Sequence, residues 1–137
     1  MGAFFISLIG GFLVATKKRR NNVVKQTVVF DFDGVIHSYT SGWQGAETIA
    51  DPPVTGIREV IEKLRHDYIV AIVSTRCATV KGIEAITEWL NCNQIEVDLI
   101  LKEKPPAIVY IDDRAICFDG NCSTLKQRID TFKPWNE

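Results

Sequence analysis

Three short polar clusters carry the residue types that do chemistry, and each lies at the end of an apolar run rich in β-branched residues. The runs cover residues 27–32, 68–73 and 107–111, and the clusters are Asp31-Phe32-Asp33-Gly34, Ser74-Thr75-Arg76 and Asp112-Asp113-Arg114. Carboxylates that lie this close together repel one another unless a cation sits among them. Because an all-oxygen ligand set with room for water favours Mg²⁺ over zinc, the clusters predict a Mg²⁺ site.

The hydrophobic pattern predicts the elements that position these clusters. Short apolar runs without polar alternation are typical of strands buried on both faces of a parallel sheet. Residues 95–101 and 115–118 resemble two further strands, and helical spacing is found at 57–64, at 80–90 and from about Ser123 onwards. Strands that alternate with helices predict a three-layer α/β/α sandwich with a mostly parallel, Rossmann-like central sheet.

In such a sheet, ligands bind at the carboxyl ends of the strands, where the three clusters meet. Asp31 and Asp33 are two residues apart, so in an extended chain both side chains point the same way and face one ligand. Gly34 permits the sharp change of direction that this approach requires. The sequence therefore predicts one site that contains Asp31, Asp33, Asp112 and Asp113.

Composition limits the class of protein without naming an activity. The chain has 137 residues, of which 46% are hydrophobic and 24% charged, and this is typical of one compact soluble domain. The net charge is −1 although residues 17–20 are all basic, so the rest of the chain is acidic. An acidic domain is unsuited to binding nucleic acid through a broad basic surface. The four cysteines lack zinc-site spacing and predict free thiols in the reducing cytoplasm.

Residues 1–24 are predicted to be an extension, first apolar and then basic, and residues 25–137 the domain that carries the three clusters. A helix of residues 1–16 would span about 24 Å, less than a hydrocarbon core of about 30 Å. The basic cluster follows the apolar run, which is the reverse of a secretory signal. Three interpretations stay open: a weak membrane anchor through residues 1–20, an extension without a role in chemistry, or a stretch upstream of the true start.

These motifs resemble those of the haloacid dehalogenase superfamily, most of whose members are phosphatases. The segment Asp31-Phe32-Asp33-Gly34-Val35 is similar to the first motif of the superfamily, Ser74 to its second, and Asp112-Asp113 to its fourth. The third motif is a lysine, for which Lys104 is the first choice and Lys102 the alternative. Few residues separate these lysines from the fourth motif, so the usual helix between the two motifs is missing or very short.

The resemblance implies a Mg²⁺-dependent phosphomonoester hydrolase. Asp31 would be the nucleophile that forms an aspartyl-phosphate, and Asp33 the acid and base, with a pKa raised by its acidic neighbours. Mg²⁺ would be held by Asp31, the main-chain carbonyl of Asp33 and Asp112, with Asp113 orienting a bound water. Ser74 and the lysine would hold the phosphoryl oxygens.

Arg76 and Arg114 extend the second and fourth motifs into patterns that resemble phosphatase domains acting on polynucleotide 3′ ends. Two interpretations stay open for both arginines: together with Gly34 they bind the substrate, or they pair with the acidic cluster. His37 and Lys81 either add to a phosphate-binding rim or are solvated surface residues, and the second interpretation is preferred.

No cap domain is predicted, because the loop after the first motif is short and one helix fills the gap after the second. A member without a cap has either a large substrate that covers the site or an oligomer whose neighbour supplies the lid. Trp43 in the loop either stacks on a base or fixes the loop to the body. The predicted substrate is a nucleotide or a nucleic-acid 3′ end, and the alternative is a non-catalytic domain that binds a phosphorylated partner.

Overall fold

The computed structural model describes residues 4–9, 12–17 and 24–137. Within them the chain forms β1 Phe4–Ile9, β2 Phe12–Lys17, β3 Thr27–Phe30, α1 Ile57–Asp67, β4 Ile69–Val73, a 3₁₀ helix Thr75–Ala78, α2 Val80–Cys92, β5 Leu99–Leu101, β6 Val109–Ile111 and α3 Leu125–Asp130. The predicted strands at 27–32, 68–73, 95–101 and 107–111 are confirmed as β3, β4, β5 and β6. The four cysteines are free thiols, as predicted.

The central sheet brings the carboxyl ends of three strands to one edge. Strands β3 to β6 form a four-stranded, all-parallel sheet in the order β5-β4-β3-β6. Val29 of β3 is aligned with Ala71 of β4 and with Tyr110 of β6. The residues that follow these strands therefore lie side by side. The predicted mixed α/β class with a parallel sheet is confirmed.

Both long helices pack on the same face of this sheet. The core cluster contains Ile61 of α1, Ile86 and Leu90 of α2, and the strand residues Val28, Phe30, Val70 and Ile72. Because alternate residues of a strand point to opposite faces, the register places these four strand residues on one face. The crossovers through α1 and α2 step in the same direction across the sheet, and right-handed connections of that kind place their helices on one side.

Two predictions in the last third of the chain are wrong. Residues 115–118 form no strand, and Arg128 Nη2 donates to the Cys117 carbonyl at 2.8 Å, so a side chain takes a hydrogen bond that a neighbouring strand would make. Helix α3 is short and buries none of its residues. The helical spacing after Ser123 predicts a buried apolar face that includes Ile129, but Ile129 is 58% exposed.

The N-terminal apolar segment forms strands and not the helix considered from its sequence. Strands β1 and β2 pair in antiparallel fashion, with Phe4 opposite Lys17 and Ile9 opposite Phe12. Among the described residues, none of the helices has the length and apolar character needed to cross a membrane. Residues 18–20 of the basic cluster lie outside the described residues, and the anchor interpretation stays a prediction.

Candidate active site

Three carboxylates meet where β3 and β6 end. Asp31, Asp112 and Asp113 each offer one oxygen atom, and these oxygens all lie within 4.8 Å of one another. The N–H of Asp31 donates to the Ile111 carbonyl at 2.8 Å, which extends the pairing of β3 with β6 as far as the first carboxylate. The structure thus brings together three of the four predicted carboxylates, and the fourth, Asp33, has other partners.

Asp113 is the clearest indication that the cluster suits a cation. Its side chain is 2% exposed, and neither carboxylate oxygen has a hydrogen-bond partner among the residues that the structure describes. Burial of an ionised carboxylate without hydrogen bonds costs free energy, and a divalent cation in the cluster would offset its charge, either directly or through a bound water. An all-oxygen set of carboxylates suits a hard cation, so these residues fit Mg²⁺.

Gly34 lies directly against Asp113. A Cβ atom at Gly34 would overlap the Asp113 carboxylate, and the φ angle of 81° is one that residues with side chains rarely adopt. The Gly34 N–H donates to the His37 carbonyl at 2.8 Å, and its own carbonyl accepts from the Trp135 indole at 2.7 Å. Gly34 therefore allows the Asp113 carboxylate to pack against the backbone of the loop after β3. A contact between Gly34 and a substrate stays a prediction.

Burial, together with the neighbouring carboxylates, raises two pKa values in the cluster. Burial raises the pKa of Asp31 to about 7, the hydrogen bond from the Phe32 N–H opposes this rise, and Asp112, Asp113 and Asp33 add to it. Burial is also the main cause that raises the pKa of Asp113. Both shifts disfavour the ionised carboxylates in the absence of a cation, so the binding of a cation and the loss of protons are coupled.

We expect the affinity for Mg²⁺ to fall as the pH falls. The cation needs an ionised Asp31, so protons compete with it below a pH of about 7. The apparent Kd should rise about tenfold for each pH unit below that value, with about one proton released per Mg²⁺ at pH 6. Isothermal titration calorimetry in two buffers of different ionisation enthalpy measures both quantities. Equal Kd values at pH 6 and pH 8 would contradict this coupling.

Asp33 has partners outside the cluster. Its carboxylate accepts hydrogen bonds from Arg76, with Nε at 2.8 Å and Nη2 at 3.0 Å, and lies 2.8 Å from His37 Nδ1. Burial raises the pKa of Asp33, but the hydrogen bonds from His37 and Arg76 outweigh burial and lower it overall. The predicted raised pKa is therefore wrong, because these donors contact the carboxylate directly.

Arg76 is the buried centre of this region. It is fully buried, and its Nη1 donates to the carbonyls of Gly45, Ala46 and Thr48 at 2.8, 3.1 and 2.9 Å. Its guanidinium carbon lies 4.7 Å from the centre of the Trp43 ring. Of the two interpretations left open by the sequence, pairing with a carboxylate is the arrangement seen for Arg76. The same contacts tie the loop between β3 and α1 to the body of the protein.

Neighbouring residues of the chain fix the position of the Arg76 backbone. Ser74, which is 6% exposed, accepts a hydrogen bond from the Arg76 N–H at 3.2 Å through its side chain. Thr79 caps α2 by accepting from the Gly82 N–H at 3.1 Å. A Cβ atom at Gly82 would overlap the Arg76 carbonyl, so only glycine lets α2 begin this close to the 3₁₀ helix.

Arg114 differs from Arg76 in its exposure. Its side chain is 59% exposed, with Nε 3.9 Å from Asp113 Oδ2 and Nη2 3.2 Å from Glu137 Oε1. Its N–H donates to the Asp112 carboxylate at 2.8 Å. Arg114 thus pairs with acids and still offers a cationic surface, and its contact with a substrate stays a prediction.

A cleft with a volume of about 250 Å³ opens beside Asp31. Its polar lining consists of Asp31, Ser74, Thr75, Lys102, Lys104, Tyr110 and Asp112. Both candidate lysines therefore face the same cleft, and Lys104 Nζ also lies 5.0 Å from the centre of the Tyr110 ring. The choice between the two lysines stays open, because either side chain reaches the cleft.

His37 was interpreted from the sequence as a surface residue, and this is wrong. It is 1% exposed and stacks on Phe32 with ring centres 5.6 Å apart. Its Nε2 accepts from the Asp51 N–H at 3.1 Å, so the neutral ring carries its proton on Nδ1, which faces Asp33. No periodicity marks a buried residue in an irregular loop, and the only sequence signal is the spacing of four residues from Asp33.

The chain matches no family model, and comparisons with curated proteins and with solved structures find no match either.

Proposed function

We propose that this protein is a Mg²⁺-dependent phosphomonoester hydrolase of the haloacid dehalogenase type, which acts through an aspartyl-phosphate on Asp31. The observation that carries the proposal is the buried Asp113 carboxylate, which has no hydrogen-bond partner among the described residues and has an oxygen within 4.8 Å of oxygens of Asp31 and Asp112. The cleft that joins Asp31 to Ser74 and to two lysines supports it, because this set suits a phosphoryl group.

Asp31 and Asp33 divide the reaction between them. A carboxylate oxygen of Asp31 attacks the phosphorus of a phosphomonoester, the bond from phosphorus to the leaving oxygen breaks, and that oxygen takes a proton from Asp33. A water then attacks the phosphorus of the acyl phosphate and gives a proton to Asp33, which releases inorganic phosphate and the free Asp31 carboxylate. Each turnover consumes one water and restores both side chains.

The remaining residues hold and orient the reacting groups. Asp31, Asp112 and the main-chain carbonyl of Asp33 would hold Mg²⁺, with Asp113 orienting a bound water. When bound, the cation supplies positive charge that offsets the carboxylates and the phosphoryl oxygens. Ser74 and one lysine of the cleft, Lys104 or Lys102, bind the phosphoryl oxygens and place phosphorus in line with Asp31.

The contacts of Asp33 predict that kcat/KM depends on the leaving group of the substrate. Arg76 and His37 stabilise the ionised carboxylate, so Asp33 is well suited to accept a proton and is seldom protonated at neutral pH. We expect kcat/KM for p-nitrophenyl phosphate to exceed that for an alkyl phosphate, with a ratio that narrows as the pH falls. Steady-state kinetics from pH 5 to pH 8 measure this ratio, and a ratio near one throughout would contradict the expectation.

The substrate class proposed is a nucleotide or a nucleic-acid 3′ end. The described residues contain no inserted cap, since an irregular loop joins β3 to α1 and only the short 3₁₀ helix and α2 lie between β4 and β5. Trp43 is 53% exposed and Arg114 59% exposed, so an aromatic ring and a cation are available to a base and a phosphate. The same proposal includes a cytoplasmic location and a third layer of helices over the sheet. It also includes a second copy of the chain as the lid of the site.

Phosphate release from a mixed panel tests the proposal. The panel contains p-nitrophenyl phosphate, mononucleotides, sugar phosphates and a 3′-phosphorylated oligonucleotide, each with Mg²⁺ and with a chelator. We expect turnover that disappears with the chelator, and the best substrate then defines the class. Folded protein that binds Mg²⁺ but turns over nothing in the panel would favour the alternative, a non-catalytic domain that binds a phosphorylated partner.

A further inference from the structure

We infer that residues 134–137, here called the C-terminal strap, are a positioning element of the candidate Mg²⁺ site, with Trp135 as its main contact. The inference rests on the proposed function, because it concerns the same cation site. None of these residues belongs to a motif that the sequence suggested, and they lie about a hundred positions after Asp31 in the chain.

The first contact of the strap reaches Asp113 through Gly34. Trp135 Nε1 donates to the Gly34 carbonyl at 2.7 Å, and Gly34 in turn lies against the Asp113 carboxylate so closely that no Cβ fits between them. Trp135 also lines a cavity of about 270 Å³ together with Gly34, Asp112 and Asp113. The Trp135 indole therefore holds in place the Gly34 backbone, which the Asp113 carboxylate contacts.

The second contact of the strap reaches Asp113 through Arg114. Glu137 Oε1 lies 3.2 Å from Arg114 Nη2, and Arg114 Nε lies 3.9 Å from Asp113 Oδ2. Asn136 Nδ2 donates to the Ser38 carbonyl at 3.4 Å, which ties the strap to the loop after β3 as well. The strap is therefore joined to the loop that follows β3 and to the loop that follows β6.

These two loops carry the carboxylates that must converge on one cation. Asp31 belongs to the loop after β3, whereas Asp112 and Asp113 belong to the loop after β6. A cation site needs a fixed separation between its ligands, and groups that orient the ligands typically change metal affinity by about 10- to 100-fold when they are removed. The strap is placed to fix that separation without contacting a cation or a substrate itself.

Calorimetric titration of the metal-free protein, residues 1–137, with MgCl₂ tests the inference. Trp135→Phe keeps the ring and removes the donor to Gly34, and we expect it to raise the Kd for Mg²⁺ about tenfold. Glu137→Gln is an exposed, conservative change that tests the second route, with an expected rise of about twofold to threefold. Ile129→Ala, in an exposed position of α3, is the control and should leave the Kd unchanged.

The outcomes separate this inference from the proposed function. If wild type binds Mg²⁺ and both strap variants bind it with the wild-type Kd, the strap has no positioning role and only this inference fails. If wild type binds no Mg²⁺, the proposed function and the inference fail together. A merely stabilising strap would lower the melting temperature of the variants without changing their Kd, so melting of the metal-free proteins is measured in parallel.

Discussion

Asp31→Asn should abolish phosphate release and, in metal-free protein above pH 7, raise the thermal stability. The amide is no nucleophile for phosphorus, so the rate should fall on the order of 10³-fold or more. The stability gain follows from the pKa of Asp31, which is about 7 in the folded protein against an ordinary value of 3.8. Between these values the folded state binds more protons, so wild-type stability is lost as the pH rises from about 4 to about 7.

The stability part of this prediction is checked by melting in a chelator at pH 5 and at pH 8. The side-chain amide that Asp31→Asn introduces does not titrate, so the variant should be more stable than wild type at pH 8, with a smaller difference at pH 5. Asp130→Asn removes a 55% exposed carboxylate on α3 and serves as the control. A variant that melts below wild type at pH 8, or that retains turnover, would contradict the account of Asp31.

Arg76→Met should give the largest loss of stability among the site variants. The change leaves Asp33 without its bidentate partner and leaves the carbonyls of Gly45, Ala46 and Thr48 without the Nη1 donor. Breaking a buried ion pair by removing one partner typically costs about 3–5 kcal/mol. The free energy of unfolding in urea measures the loss. Arg76→Lys keeps the charge without the planar fork and should fall between wild type and Arg76→Met.

Arg65→Met is the matched control for Arg76→Met. Arg65 also bonds two acids, Glu96 at 2.6 Å and Asp98 at 3.2 Å, but it lies at the surface with 30% of its side chain exposed. Exposed ion pairs contribute about 1 kcal/mol or less. Equal losses of stability for the two methionine variants would show that burial of Arg76 has no special role. The loss should be far greater for Arg76→Met.

The sheet and the acidic cluster were predictable because both depend on local sequence. Apolar runs without alternation identified β3, β4 and β6, and parallel strands bring their carboxyl ends to one edge whatever the loops do. Asp31, Asp112 and Asp113 directly follow those strands, so their meeting needed no knowledge of packing. The failed strand at 115–118 shows the limit of this logic, since a short apolar run forms a strand only where a neighbour pairs with it.

The partners of the cluster were not predictable, because they come from distant parts of the chain. The sequence predicts that acidic neighbours raise the pKa of Asp33. The carboxylate instead contacts the buried His37 and Arg76, which lies 43 positions later in the chain. The contact of Trp135 with Gly34 spans 101 positions. A sequence pattern reports which residues share a face of one element, whereas these contacts depend on how loops fold over the sheet edge.

Binding of beryllium trifluoride shows whether Asp31 is a phosphoryl acceptor, and this measurement needs no knowledge of the substrate. This anion binds a nucleophilic aspartate in the presence of Mg²⁺ and imitates an aspartyl-phosphate. ¹⁹F NMR should show bound fluoride signals with wild-type protein and Mg²⁺, and none with a chelator or with Asp31→Asn. Bound signals that persist in Asp31→Asn, or their absence from folded wild-type protein that binds Mg²⁺, would contradict the assignment of Asp31 as a phosphoryl acceptor.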